Sequence, residues 1–98
     1  MAYIEEGAKI GENVKIGPFS CIYSDTVIGD GTIIENNVTI FPGARIGKNC
    51  HIKKAIIDRF NVLPNGMKVG LNKEEDSQNY FIDPSGIVII PRGRTKFL

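Results

Sequence analysis

Isoleucine recurs at Ile4, Ile10, Ile16, Ile22, Ile28, Ile34, Ile40, Ile46 and Ile52, nine anchors at a constant spacing of six. With 16 Ile in 98 residues, chance fills nine chosen positions with a probability on the order of 10⁻⁷, so the period is a structural rule. After Ile52 the spacing drops once to five and then resumes at Ile57, Leu63 and Val69. Twelve hexapeptides therefore cover roughly residues 2 to 73. The period is neither helical nor a plain alternation. Two residues before most anchors stands a small side chain, among them Ala2, Ala8, Ser20, Thr26, Thr32, Ala44, Cys50 and Ala55. Residues two apart in extended chain share a face, so each unit points one small and one large side chain inward. Three residues after each anchor stand Gly, Asn or Asp in nine of twelve units, with Phe19, Ala55 and Phe60 the exceptions. These residue types tolerate the positive φ of a corner. Each unit reads as a short strand and a corner.

One hexapeptide cannot bury its own anchor and must stack on copies of itself. Three sides per coil make four coils of 18 residues, roughly 19 Å tall at ~4.8 Å between stacked strands. The expected fold is all-β: a single-stranded parallel β-helix of about four triangular coils over residues 1–73, with residues 74–98 as a C-terminal cap. Lys73–Asn79 reads as a short helical turn, with its acids at the N-terminal end. Asp83-Pro84-Ser85-Gly86 has turn chemistry, and Ile87–Ile90 reads as a strand stopped by Pro91. Arg92–Leu98 is expected to fray. An apolar share of 42% and a net charge of +1 argue against a disordered chain and against a general nucleic-acid binder. No run nears the ~18 apolar residues of a membrane helix, and the opening MAYIEEGAKIGENV lacks the apolar stretch of a signal peptide.

The pattern of an aliphatic residue, often Gly next, and a small residue four positions on resembles the hexapeptide-repeat proteins. That resemblance implies a left-handed helix, an exception to the right-handed crossover rule. The segment Ala8–Cys50 looks like the opening coils of UDP-N-acetylglucosamine acyltransferase. The segment Arg45–Arg92 is similar to the C-terminal end of glucose-1-phosphate adenylyltransferase (ADP-glucose pyrophosphorylase). It carries Ala55-Ile56-Ile57-Asp58-Arg59, Val62-Leu63-Pro64-Asn65-Gly66, Glu74-Glu75-Asp76 and Gly86-Ile87-Val88. Charge divides the chain near the same place: residues 1–43 net −4, residues 44–73 net +6 and residues 74–98 net −1. Halves that resemble different enzymes read as a recombined or engineered solenoid, a chimera.

Chemistry is sparse. His51 precedes an anchor and should face outward, with no acid or nucleophile near it in sequence. The resemblance gives it no role, because the acyltransferase base lies on later coils. Cys21 should face out and Cys50 in, which argues against a disulfide or a shared metal site. No metal or cofactor is expected, and the chain reads as cytoplasmic. Asn37-Val38-Thr39 is a formal glycosylation sequon that the corner role of Asn37 already explains.

Two surfaces remain. Arg45, Lys48, Lys53, Lys54, Arg59 and Lys68 form a basic cluster; Arg45, Lys53, Lys54 and Arg59 are the candidate anion-binding residues. The adenylyltransferase resemblance implies a phosphorylated effector there. Dealing the hexapeptides in threes onto three faces gathers Tyr3, Tyr23, Phe41 and Ile56 on one of them. That apolar stripe is either an oligomer interface or the tail's seat. Both resembling families are oligomeric, and a homotrimer about an axis parallel to the helix is expected. Three functions follow: a non-catalytic scaffold or oligomerisation module, a regulatory domain binding a phosphorylated effector, or a truncated acyltransferase of lipid A synthesis. Neither nucleic acid nor membrane is an expected partner.

Overall fold

The computed structural model describes residues 1–92, and the chain climbs in four coils of three strands each. The first coil is β1 (Tyr3–Ile4), β2 (Lys9–Ile10) and β3 (Lys15–Ile16). The second is β4 (Cys21–Ile22), β5 (Val27–Ile28) and β6 (Ile33–Ile34). The third is β7 (Val38–Ile40), β8 (Arg45–Ile46) and β9 (His51–Ile52), and the fourth β10 (Ala55–Ile57), β11 (Val62–Leu63) and β12 (Lys68–Val69). Every strand pairs in parallel with the strand one coil away, making three sheets that we call the first, second and third faces. The fold is a β-solenoid, as the period requires.

The anchors form the core. Ile22, Ile40, Ile52, Ile57 and Val69 are fully buried, and Ile28, Ile34 and Leu63 nearly so. The corners turn where expected: Asn13, Phe19, Asp25, Asn37, Asn49 and Phe60 hold φ between 56° and 61°, and Gly7, Gly31, Gly43 and Gly66 are also positive. Two corners differ from the sequence reading. Lys54, not Ala55, takes the left-handed conformation at φ 45°. Ala55 stays in its small inward slot, fully buried. The unit with five residues thus loses its residue from the corner and none from the wall. Registers of 18 between earlier coils become 17 here (Ala55 on Val38, Val62 on Arg45, Lys68 on His51), and the columns continue unshifted. At the last corner Gly70 (φ 85°) makes the turn, while Asn72 is extended and caps the helix that follows.

The small slots do more than fill space. Ser20 Oγ donates to the Glu35 carbonyl and accepts from Val38 N–H, and Thr32 Oγ1 donates to the Gly47 carbonyl and accepts from Cys50 N–H. Each buried hydroxyl therefore stitches one coil to the next, so its desolvation is compensated.

The tail closes the upper end. Helix α1 (Lys73–Asn79) begins at Asn72, whose side chain accepts from Glu75 N–H. β13 (Phe81–Ile82) and β14 (Val88–Ile90) follow. β14 lies on β10 in parallel, and β13 runs antiparallel outside it, giving the first face six strands in the order β1-β4-β7-β10-β14-β13. Tyr80 and Ile82 pack on the core, and Asn61 Nδ2 donates to the carbonyls of Ile90 and Pro91. Among the described residues nothing comparable packs on the lower coil, where Ile4 is 47% and Ile10 37% exposed. Residues 93–98, where fraying was expected, lie outside the described residues.

Candidate functional site

The first face is the most distinctive surface. Anchors point inward, so the residues before and after them point out. Parallel register places Tyr3, Cys21, Thr39, Ile56 and Ile89 in one outward column, and antiparallel pairing adds Phe81 beside Ile89. The neighbouring column holds Glu5, Tyr23, Phe41 and Asp58. Tyr3 leans across to Tyr23, with ring centroids 6.1 Å apart and an edge-to-face angle of 60°. Tyr23 stacks on Phe41 at 5.6 Å and 7°. The three rings are one ladder. Ile56 belongs to the adjacent column, between Thr39 and Ile89, and does not continue that ladder. Sequence reasoning missed the contributions of Ile89 and Phe81, because the antiparallel return of the tail has no signature in the period.

The cations are spread round the upper coils. Arg45 is on β8 in the second face, and Arg59 sits on the corner between the first and second faces. Lys53 and Lys54 sit on the corner between the third and first. Lys53 and Lys54 thus share one corner, while Arg45 lies on a strand and Arg59 on a different corner. Arg45 also shares an open cleft with Lys9 and Asp25, which sets a carboxylate among the cations.

His51 faces outward as expected, but it has a partner the linear sequence hides. Its Nε2 pairs with Oε2 of Glu35 one coil below, since Ile33 and Glu35 flank the anchor that stacks under Ile52. Both side chains are about one-third exposed, and the pair reads as a cross-coil staple. Cys21 is half-buried and Cys50 buried, and both are free thiols. Cys50 Sγ donates to the Pro64 carbonyl at 3.2 Å, the same stitching role as the hydroxyl slots.

Asp76 on α1 is buried, at 3% exposure. Its Oδ2 accepts from Gly70 N–H at 2.9 Å, tying the helix to the last corner. Burial raises its carboxyl above the ordinary aspartate value, against the opposing pull of the Gly70 N–H. Its environment is structural: it locks the cap to the solenoid. Among the described residues, no helix is long and apolar enough to cross a membrane.

Residues 16–90 match a family model described as GlmU-like, C-terminal hexapeptide. Among curated relatives, glucose-1-phosphate adenylyltransferase of Actinobacillus succinogenes is 38% identical over 72 residues, 74% of this chain and 16% of the relative. The same enzyme of Photobacterium profundum is 43% identical over 68 residues, 69% of this chain and 16% of the relative. That of Trichlorobacter lovleyi is 37% identical over 90 residues, 91% of this chain and 20% of the relative. The chain thus spans between a sixth and a fifth of the length of these relatives. Both the family match and the 90-residue alignment run across the charge seam. A two-parent origin finds no support in either.

Proposed function

Because the chain belongs to the GlmU-like C-terminal hexapeptide family, we propose that it is a non-catalytic β-helix scaffold that assembles copies of itself. The observation that carries this reading is the first face: six strands whose outward positions hold Tyr3, Tyr23, Phe41, Ile56, Ile89 and Phe81, with no lysine or arginine among them. The other two faces carry Lys9 and Arg45, or Lys15, Lys53 and Lys68, at the equivalent positions. A contiguous apolar face of this kind marks an association site. Light scattering coupled to size exclusion tests it. The wild type is expected at a multiple of 10.8 kDa, and Tyr23→Lys/Phe41→Lys at the monomer mass. A wild type that is monomeric throughout overturns the reading.

The similarity to the C-terminal region of glucose-1-phosphate adenylyltransferases supports a second reading, a regulatory domain for a phosphorylated effector. Lys53 with Lys54, or Arg45 with Arg59, would supply the charge for a phosphate group. Titration with fructose 1,6-bisphosphate at low and high salt tests this, with Lys53→Ala/Lys54→Ala and Arg45→Ala/Arg59→Ala as the paired controls. Binding that neither pair weakens counts against both pairs.

A further inference from the structure

The charge seam found in the sequence becomes a direction in the structure. The lower coils carry the net −4 of residues 1–43 and the upper coils the net +6 of residues 44–73. The same polarity runs up the rim of the apolar face. Register stacks Glu6, Ser24, Pro42, Arg59 and Arg92 on the corner that follows the first face, with Asp25 beside Ser24. Glu6, Asp25, Arg59 and Arg92 are all exposed. None of the four makes an ion pair among the described residues, where His51–Glu35 is the pair formed.

We infer that the first face binds the first face of a second copy of this chain in an antiparallel arrangement, about a twofold axis lying along the strands through β7. The inference rests on the self-association reading above and adds the geometry. Any symmetry axis parallel to the solenoid, threefold or twofold, keeps equal levels together. Acidic coils then meet acidic coils and basic meet basic. In a twofold arrangement of that kind Arg59 lies against Lys54 of the second copy, a like-charge contact that opposes association.

Reversing one copy exchanges the levels. The β1 level then faces the β14 level, and the β4 level faces the β10 level. Glu6 meets Arg92 of the second copy, and Asp25 meets Arg59. Tyr23 presents its hydroxyl to the Asp58 carboxylate, one of the two acids on the face. Both acids also hold a bond within their own chain: Asp58 Oδ1 accepts from Arg59 N–H at 2.6 Å, and Glu5 Oε1 from Ser24 N–H at 2.8 Å. At the axis Phe41 packs on Phe41 of the second copy. Each of these contacts occurs twice off the axis, as a self-complementary interface requires.

Sedimentation equilibrium on the intact chain and on charge variants tests the arrangement, with far-UV circular dichroism confirming that each variant folds. The wild type is expected at twice 10.8 kDa. Arg59→Glu and Asp25→Lys should each weaken the dimer about tenfold, because each turns two attractive rim contacts into repulsive ones. The double variant should recover to within about threefold of the wild type. Asp25 holds φ 59°, so Asp25→Asn, which keeps that conformation, serves as the control and should weaken the dimer about threefold. A trimer mass, a double variant that stays weak, or an Arg59→Glu chain that associates more tightly overturns the antiparallel geometry and leaves self-association standing. A wild type that stays monomeric overturns both.

Discussion

The anchors of one column offer a graded test of the solenoid. Ile16, Ile34 and Ile52 stack on the third face, with Ile34 1% exposed between its two neighbours. Ile34→Ala removes three buried carbons, about 2.4 kcal/mol at ~0.8 kcal/mol each. The vacated space adds a cavity cost that brings the expected loss to about 3.5 kcal/mol. Ile4 lies in the first coil and is 47% exposed, so Ile4→Ala forfeits about half the transfer term and leaves no enclosed cavity, about 1 kcal/mol. Ile16→Ala should fall between, at about 2 kcal/mol. Urea denaturation followed by far-UV circular dichroism, at one fixed protein concentration because association adds stability, reads all three. An Ile4→Ala loss equal to that of Ile34→Ala would mean that the lower end is covered in solution. A loss below about 1 kcal/mol at Ile34 would refute the stacked columns.

Other substitutions probe the corners and the cap. Phe19 holds φ 61° with its ring 72% exposed, so Phe19→Gly should raise stability by up to about 1 kcal/mol in thermal melts. Gly70→Ala should cost about 2–4 kcal/mol in the same assay, because a Cβ there would lie 1.8 Å from the Lys53 carbonyl oxygen at φ 85°. Asp76 has its carboxyl raised by burial, so the folded chain holds that proton more tightly than the unfolded one. Its contribution therefore improves as pH falls through the raised value and is complete below the ordinary carboxylate range. Asp76→Asn keeps an acceptor for Gly70 N–H without the buried charge. Its advantage over wild type in urea melts should be present at about pH 7 and shrink by about pH 4; a gap that widens on acidification contradicts the sign.

How much of this was legible depends on whether a feature repeats. The anchors and most corners follow from the spacing of six, because each position is specified many times over. Lys54 shows where that logic stops. Counting three residues on from Ile52 lands on Ala55, yet the wall keeps its small inward residue and the corner gives up a position. Strand register binds more tightly than corner length, and sequence spacing alone does not rank the two. The apolar face was half legible: Tyr3, Tyr23 and Phe41 come from the period, while Ile89 and Phe81 come from a return that occurs once. The Glu35–His51 pair was hidden for a related reason. Its members are 16 residues apart, close only once the coils are stacked. The cations looked like a cluster because they are near in sequence, and a coil scatters such neighbours round its perimeter.

The strand order β10-β14-β13 sets a timetable for synthesis. β13 is made before β14 yet lies outside it, so β13 has no sheet to join until β14 has slid into place. The chain thus cannot be sealed as it emerges, coil upon coil, in the way its first four turns can. At ~5–20 residues per second, the upper edge of β10 waits about 2–7 s between the making of Ile57 and that of Ile90. During that interval a nascent chain offers an unpaired, isoleucine-rich edge to any neighbour on the same message. Closure that must begin with β14 makes residues 88–90 the latch of the four coils, and a ribosome that stalls before them leaves every one of those coils built and their upper edge unlocked.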